Sequence, residues 1–289
     1  MINVLVVLNY NDYLTTKNFI EKIKQYSNLE KIIIVDNNST DNSYELLMKL
    51  KSSKIEVIKC PKNNGYASGN NFGIKYAEYK FNPKYVIISN PDVYFDEEVI
   101  NEIENIMETN PKYAMGTCTM KEKEKTRNLN AYKTSNYKHN LITILPILGR
   151  IYNNKFIKYD EDYFKREYSE VEVIPGSFFI ARLDYLKKVN YFSEETFLYC
   201  EEEILGYKLK NNNLTSIILN NREYKHSHSI SINKNIKRNV DKHKILHNSR
   251  EVYIKNYLQV NKFKLHIFKC LSYLTIKERY IIEFLKAKV

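Results

Sequence analysis

The chain predicts an α/β fold built on a mostly parallel sheet. Three observations carry that expectation: four short runs that are apolar at nearly every position, helix-patterned segments between them, and amide-rich turns where the runs end. Strands buried on both faces read as continuous Val/Ile/Leu stretches, and helical crossovers between them make neighbouring strands parallel. In open sheets of this kind ligands bind beyond the carboxyl ends of the strands. The turns, rather than the core, are therefore expected to carry function.

Val4 to Leu8 is the first run, and Phe19, Ile20 and Ile23 follow at helical spacing. Ile32 to Val35 is the second and ends in Asp36. Asn37 to Asp41 then turns the chain and caps a helix carrying Leu46, Leu47 and Leu50. Ile55 to Ile58 is the third run and Val86 to Ser89 the fourth. The fourth stops at Asn90-Pro91-Asp92, which delivers a carboxylate to the sheet edge. A hard carboxylate beside an amide suits Mg²⁺ or Mn²⁺ carrying substrate phosphates; the same three residues also make an ordinary turn.

Between the third and fourth runs lies Asn63-Asn64-Gly65-Tyr66-Ala67-Ser68-Gly69-Asn70-Asn71-Phe72-Gly73. Its glycines are expected to bring backbone close to a polar ligand and offer N–H groups to phosphate. The alternative is a set of glycines that pack a helix. No G-x-G-x-x-G follows the first run and no Gly-Lys-Ser/Thr occurs here, which excludes the dinucleotide fingerprint and the P-loop.

In the second half, Pro175-Gly176-Ser177 leads into an apolar stretch. Glu201-Glu202-Glu203 opens a helix marked by Leu205 and Leu209. Acids at a helix N-terminus complement its dipole. Successive helical residues point about 100° apart, so one of the three faces any given cleft position, and periodicity leaves the choice open. Thr215 to Leu219 reads as a strand; after a turn, His226-Ser227-His228-Ser229 sets two imidazoles on one face of extended chain. They are either a nitrogen source for an ion or a surface pair. The absence of C-x-x-C and H-E-x-x-H argues against structural zinc.

Asn9-Tyr10-Asn11, Val35-Asp36-Asn37-Asn38-Ser39, Asn64-Gly65-Tyr66-Ala67 with Asn70, and Asn90-Pro91-Asp92 occur in that order. Together they resemble the family 2 inverting glycosyltransferases of the GT-A fold, with the rhamnosyltransferase-like enzymes of bacterial surface-polysaccharide biosynthesis as the nearest branch. The resemblance covers residues 1–232 and implies a Rossmann-like, mostly parallel sheet flanked by helices, with a nucleotide-sugar half at 1–119 and an acceptor half at 120–232. It implies donor contacts at Asn9, Tyr10, Asp36, Asn64, Gly65, Asn70 and Asn90. It places a metal at Asp92 with His226, His228 being the next choice. Gly176, Ser177 and Glu201 fall on the acceptor side, and Glu202 falls where the general base sits. Three positions depart from the family pattern: Asn90 replaces the leading acid of the D-x-D element, Glu202 stands for an Asp, and Ile204 replaces a later acid.

The implied reaction moves a sugar from a UDP- or dTDP-linked donor to a hydroxyl of a glycan or lipid-linked oligosaccharide acceptor, with Mg²⁺ or Mn²⁺ as cofactor. Two other classes stand beside it. A sugar nucleotidyltransferase would show a Gly-rich basic loop near its start, and residues 8–16 contain no Gly, Lys or Arg. A catalytically degenerate relative would bind nucleotide or glycan without turnover; Asp92 and Glu202 together argue against it.

Residues 233–289 form a basic extension with helical spacing at Leu246, Tyr253 and Tyr257, then Ile267, Leu271 and Leu274. Fourteen Lys or Arg there oppose four acids, so nearly all of the formal +11 sits in this segment. Such a tail either lies on an anionic membrane surface or caps the main domain with a solvated face. A nucleic-acid partner is not expected, given the acidic site residues. No run approaches the roughly 18 apolar residues of a membrane span, and Ile2 to Leu8 is too short for a signal-peptide core. The four cysteines are scattered singly, as in a reducing compartment. A cytoplasmic protein, peripheral on the inner face of the membrane, is the expectation.

Overall fold

The computed structural model describes residues 3–122, 125–126, 130–152, 155, 157–227 and 238–286. A ten-stranded mixed sheet organises the chain. Strands β1 (Asn3–Asn9), β2 (Lys31–Asp36), β3 (Ile55–Lys59) and β4 (Tyr85–Ser89) are the four anticipated runs, and they are mutually parallel in the order β3-β2-β1-β4. Helices α1 (Tyr13–Ile23), α2 (Ser43–Met48) and α3 (Tyr66–Phe81) make the crossovers. The apolar runs have no polar face because helices cover both sides. Leu5, Val7, Ile32, Ile34 and Ile87 join Phe19 and Ile20 of α1 in one cluster. Their alternates Val4, Val6, Ile33, Val35, Val86 and Ile88 join Ala67, Ile74 and Ala77 of α3 in the other.

The rest of the sheet follows a less obvious pattern. After the two-residue β5 (Val93–Tyr94) and α4 (Glu98–Thr109), β6 (Tyr113–Glu122) is followed by the short β7 (Lys125–Thr126). Helices α5 (Tyr137–Ile144) and α6 (Pro146–Ile151) come next, then β8 (Tyr168–Val171) and β9 (Phe178–Arg182). β9 lies antiparallel between β4 and β6, with Ser89 opposite Phe178 and Gly116 opposite Ile180. Helices α7 (Leu183–Lys188) and α8 (Glu201–Asn211) precede β10 (Thr215–His226). Strand β6 runs continuously through residues 119 and 120, where the nucleotide and acceptor halves were divided.

Two expectations need correction. The strand expected to end at Leu219 does not give way to a turn: β10 continues to His226, with a register shift between Leu219 and Glu223 against β6. Its far end pairs antiparallel with β5, placing His226 opposite Val93. The glycine-rich segment is also mostly helix. A Cβ on Gly73 would stand 2.5 Å from Val6 Cγ1, and one on Gly69 would stand 2.5 Å from Leu8 Cδ1. Those two glycines let α3 lie close on the sheet and do not face a ligand. His228 lies outside the described residues.

The described part of the basic extension is helical, with α9 (Asn239–Val252), a π-turn (Tyr253–Tyr257) and α10 (Lys262–Lys286). It packs on the main domain through a third cluster, in which Ile254 and Phe268 are fully buried against Ile144 of α5. Tyr253 donates to the Ser135 carbonyl at 3.0 Å and Ser249 to that of Leu198 at 2.8 Å. Leu274 departs from the pattern: it is exposed, on the outer side of α10. No helix among the described residues is long and apolar enough to cross a membrane.

Candidate active site

The carboxyl ends of β1, β2 and β4 meet at one edge, and short polar side chains knit them together. Asn9 ends β1 beside Asp36, which ends β2. The fully buried Asp36 carboxylate accepts from Asn9 Nδ2 at 3.0 Å, Ser39 N at 2.9 Å and Ser39 Oγ at 2.6 Å. Asn11 and Asn38 adopt left-handed backbone, with φ of 50° and 58°, which asparagine tolerates better than most residues. That tolerance is why the turns at this edge are asparagine-rich. Tyr10 is half-buried.

Asn37 reaches from the β2 turn to the start of α3, donating to Asn63 Oδ1 at 3.0 Å and to the Gly65 carbonyl at 3.3 Å. Gly65 has φ 98°, and a Cβ there would stand 2.0 Å from the Phe197 carbonyl oxygen. Only glycine fits. Asn64 is exposed, whereas Asn70 is buried and bonds back to the Tyr66 carbonyl at 3.0 Å.

The second half closes on this edge through Gly176 and Ser177. Asn90 N–H donates to the Ser177 carbonyl at 2.8 Å, and Tyr66 OH donates to the Gly176 carbonyl at 2.6 Å. On its other side the Gly176 N–H reaches Glu202 Oε1 at 3.3 Å. Tyr66, Asn90, Gly176, Ser177 and Glu202, far apart in sequence, are therefore joined by one run of hydrogen bonds. Of the three glutamates opening α8, Glu201 and Glu203 are buried, and Glu203 is held by the Ser135 N–H at 2.8 Å. Glu202 alone is half-exposed and directed to Gly176. Tyr199 and Cys200, just ahead of the helix, carry left-handed φ of 74° and 67°, a strained entry that sets the direction of α8.

At the β4 end, Asp92 Oδ1 lies 3.2 Å from His226 Nε2, both side chains 7% exposed. The β5–β10 pairing and a bond from Ser227 N–H to the Asp92 carbonyl (3.0 Å) hold them together. No group of three His, Cys, Asp or Glu able to hold a metal occurs among the described residues. The pair nevertheless fits a divalent cation bound chiefly by a substrate diphosphate, since such ions take one or two protein donors and complete their shell with phosphate and water.

The sequence model of glycosyl transferase family 2 matches residues 4–189, well over half of the chain. This chain belongs to that family. A curated relative, the low-salt glycan biosynthesis hexosyltransferase Agl10 of Haloferax volcanii, is 25% identical over 73% of this chain and 62% of its own length. The chain thus spans less than two thirds of that relative. Among solved structures, the mannosyltransferase PcManGT of Pyrobaculum calidifontis, in complex with GDP-Man and Mn²⁺, superposes with a TM-score of 0.60 at 10% identity. That match covers 96% of this chain and 73% of the other. TarS of S. aureus, in complex with UDP-GlcNAc, gives 0.58 at 16% identity over 93% and 70%. At these identities the structural likeness establishes the GT-A fold.

Within the family 2 framework, the acidic segment is electrostatically graded. Burial, then the nearby Glu202, pushes Glu201 up to about 8, and burial raises Glu203 as well. Burial, followed by Glu202 and Glu201, raises the Tyr66 phenol well above its ordinary value. Near neutral pH a protonated Glu201 adds no charge beside Glu202, and Tyr66 remains a neutral donor. Tyr66, Phe197 and Ser135 were not picked out as site residues from the sequence.

An acid raised on folding stabilises the fold fully below its unfolded pKa, near 4.5, and loses that contribution as pH rises through about 8. Glu201→Gln is accordingly expected to flatten the decline in melting temperature over that window, measured against the wild-type chain. An unchanged slope would contradict a neutral Glu201. The two cleft glycines should also separate. Gly65→Ala meets backbone and carries φ strain of about 1–3 kcal/mol before the clash is counted. The nearest atoms that Gly176→Ala meets belong to the Glu202 side chain, its Cβ standing 2.8 Å from Oε1. Urea unfolding should show a loss of ~2 kcal/mol or more for the first and under ~1 kcal/mol for the second.

Proposed function

We propose that this chain is an inverting glycosyltransferase that moves a sugar from a UDP- or dTDP-linked donor to a hydroxyl of a glycan acceptor. The acceptor is lipid-linked and met at the inner face of the membrane, in the synthesis of a surface polysaccharide. The observation that carries this reading is the link from Asn90 through Ser177 and Gly176 to Glu202. It ties a half-exposed carboxylate to Asn90, the residue after β4 and two before Asp92, which supports a site at the sheet edge where ligands bind in open α/β folds. UDP-GlcNAc in TarS and GDP-Man in PcManGT support a nucleotide-sugar donor.

In this reading Asn9, Tyr10, Asp36 and Asn64 to Asn70 shape the nucleoside end of the cleft. Asp36, fully buried and accepting from Asn9 and Ser39, fixes the shape of the two turns that meet there. Asp92 and His226 would hold the cation, which when bound would supply Lewis-acid stabilisation of the departing diphosphate. Glu202 takes the acceptor's proton as its oxygen attacks the anomeric carbon from the face opposite the leaving group. The Gly176 N–H orients that carboxylate, and Tyr66 fixes Gly176 from behind. Gly176 and Ser177, with the buried Glu201, form the acceptor side.

Release of nucleoside diphosphate from a panel of UDP- and dTDP-sugars, with and without glycan acceptors, tests the proposal. Glu202→Gln should lower turnover by at least ~10²-fold while leaving donor affinity within about threefold. Near-normal transfer by that variant would contradict its assignment as base.

A further inference from the structure

We propose that the outer faces of α6 and α10 together form a surface that docks on an anionic lipid bilayer. Helix α10 is apolar on two sides. Its inner side, with Phe268 buried and Leu265 and Leu271 partly so, packs against α5 and the π-turn. At about 100° per residue, Phe263, Cys270, Leu274, Lys277, Ile281 and Leu285 fall on the opposite side. There Phe263 is 72% exposed, Leu274 59%, Ile281 61% and Leu285 58%. A helix with apolar groups on both faces needs a second cover, and exposed apolar area of this extent marks an interaction surface.

Helix α6 exposes a second group on the same unit, Ile147 at 75% and Ile151 at 65%. The helix before it, α5, is fastened to α10: Tyr137 donates to the Lys264 carbonyl at 2.8 Å, and Ile144 packs with Phe268. Charge selects the occupant. Six Lys or Arg face two Glu along α10, and Lys277 sits within the apolar stripe, 4.6 Å from the Tyr273 ring centroid. A second copy packed on this stripe would bring like charges together in a dry interface, which is costly. Anionic headgroups instead meet the lysines while the aliphatic and ring groups enter the acyl boundary.

The surface is tied to the cleft. Ser135, just ahead of α5, gives its N–H to Glu203 and its carbonyl to Tyr253. A docked α5–α6–α10 unit would thus hold the acidic segment near the membrane face, where a lipid-linked acceptor is found. That last step rests on the transferase reading; the docking surface does not.

Flotation of the full chain with phosphatidylcholine vesicles, with or without phosphatidylglycerol, tests the surface. Binding is expected only with phosphatidylglycerol and should weaken as salt is raised. Leu274→Glu with Ile281→Glu, and separately Ile147→Glu with Ile151→Glu, should each reduce it ~10-fold or more. Leu14→Glu on α1, at a position 68% exposed, should not. Unchanged melting curves of the variants would show that the fold is kept. No binding by the full chain, or undiminished binding by both double variants, overturns the proposal. So does a dimer, seen by sedimentation, that the α10 double variant dissociates in a chain that ignores vesicles. Nucleotide-induced melting shifts on the same samples report separately on the transferase reading: their absence alongside intact vesicle binding would fault that reading and leave the surface standing.

Discussion

The close approach of Gly176 to α8 and α3 is the constraint on which the cleft depends. Its carbonyl is taken by Tyr66 at the head of α3, and its N–H faces Glu202 at the head of α8. A side chain at residue 176 would occupy the volume of the Glu202 carboxylate. The strand that follows, β9, enters the sheet antiparallel beside β4 and carries this junction to the edge where Asn90 and Asp92 emerge. Two halves of the chain thus share one polar seam, with Glu202 on one side of Gly176 and Tyr66 on the other.

Burial then divides the labour among chemically similar groups. Three consecutive glutamates start α8, yet two are enclosed and one reaches the cleft. An enclosed carboxyl prefers its neutral form because the charged form loses hydration, so Glu201 and Glu203 act through shape and hydrogen bonds. The asparagines at the ends of β1 and β2 serve a related purpose: they accept left-handed backbone and satisfy the buried Asp36 without adding charge.

The parallel half of the fold was legible because its strands are apolar throughout, and a short strand with no polar face must be covered on both sides. β6 was not, since Tyr113 to Glu122 mixes Thr, Cys and Gly; Gly116 is there to admit Ile103 of α4, a contact no local pattern announces. The length of β10 was hidden by polar residues from Asn220 to Glu223, where its register shifts. For Gly69 and Gly73 a ligand loop and a helix-packing role both stood open, because spacing alone does not separate a helix packing on a sheet from a loop around a phosphate. At the site, motifs brought Asp36, Asp92 and His226 into view. Periodicity left the three glutamates open and the resemblance singled out Glu202; that the other two are buried needed the fold, as did the partnership of Tyr66 with Gly176, a contact across 110 residues. The tail's charge was plain, but which of its apolar residues turn inward became clear only from the packing of α10.

Melting of the chain with UDP, dTDP, GDP or CDP, each with Mn²⁺, Mg²⁺ or EDTA, in wild type and Asp92→Ala, tests most directly that this edge binds a nucleotide diphosphate through a cation. A ligand at 100 times its Kd adds about 2.7 kcal/mol of stability, enough to move the transition visibly. The account predicts a shift with UDP or dTDP that requires metal and disappears in Asp92→Ala. No shift with any nucleotide, or one indifferent to both EDTA and Asp92→Ala, would contradict it.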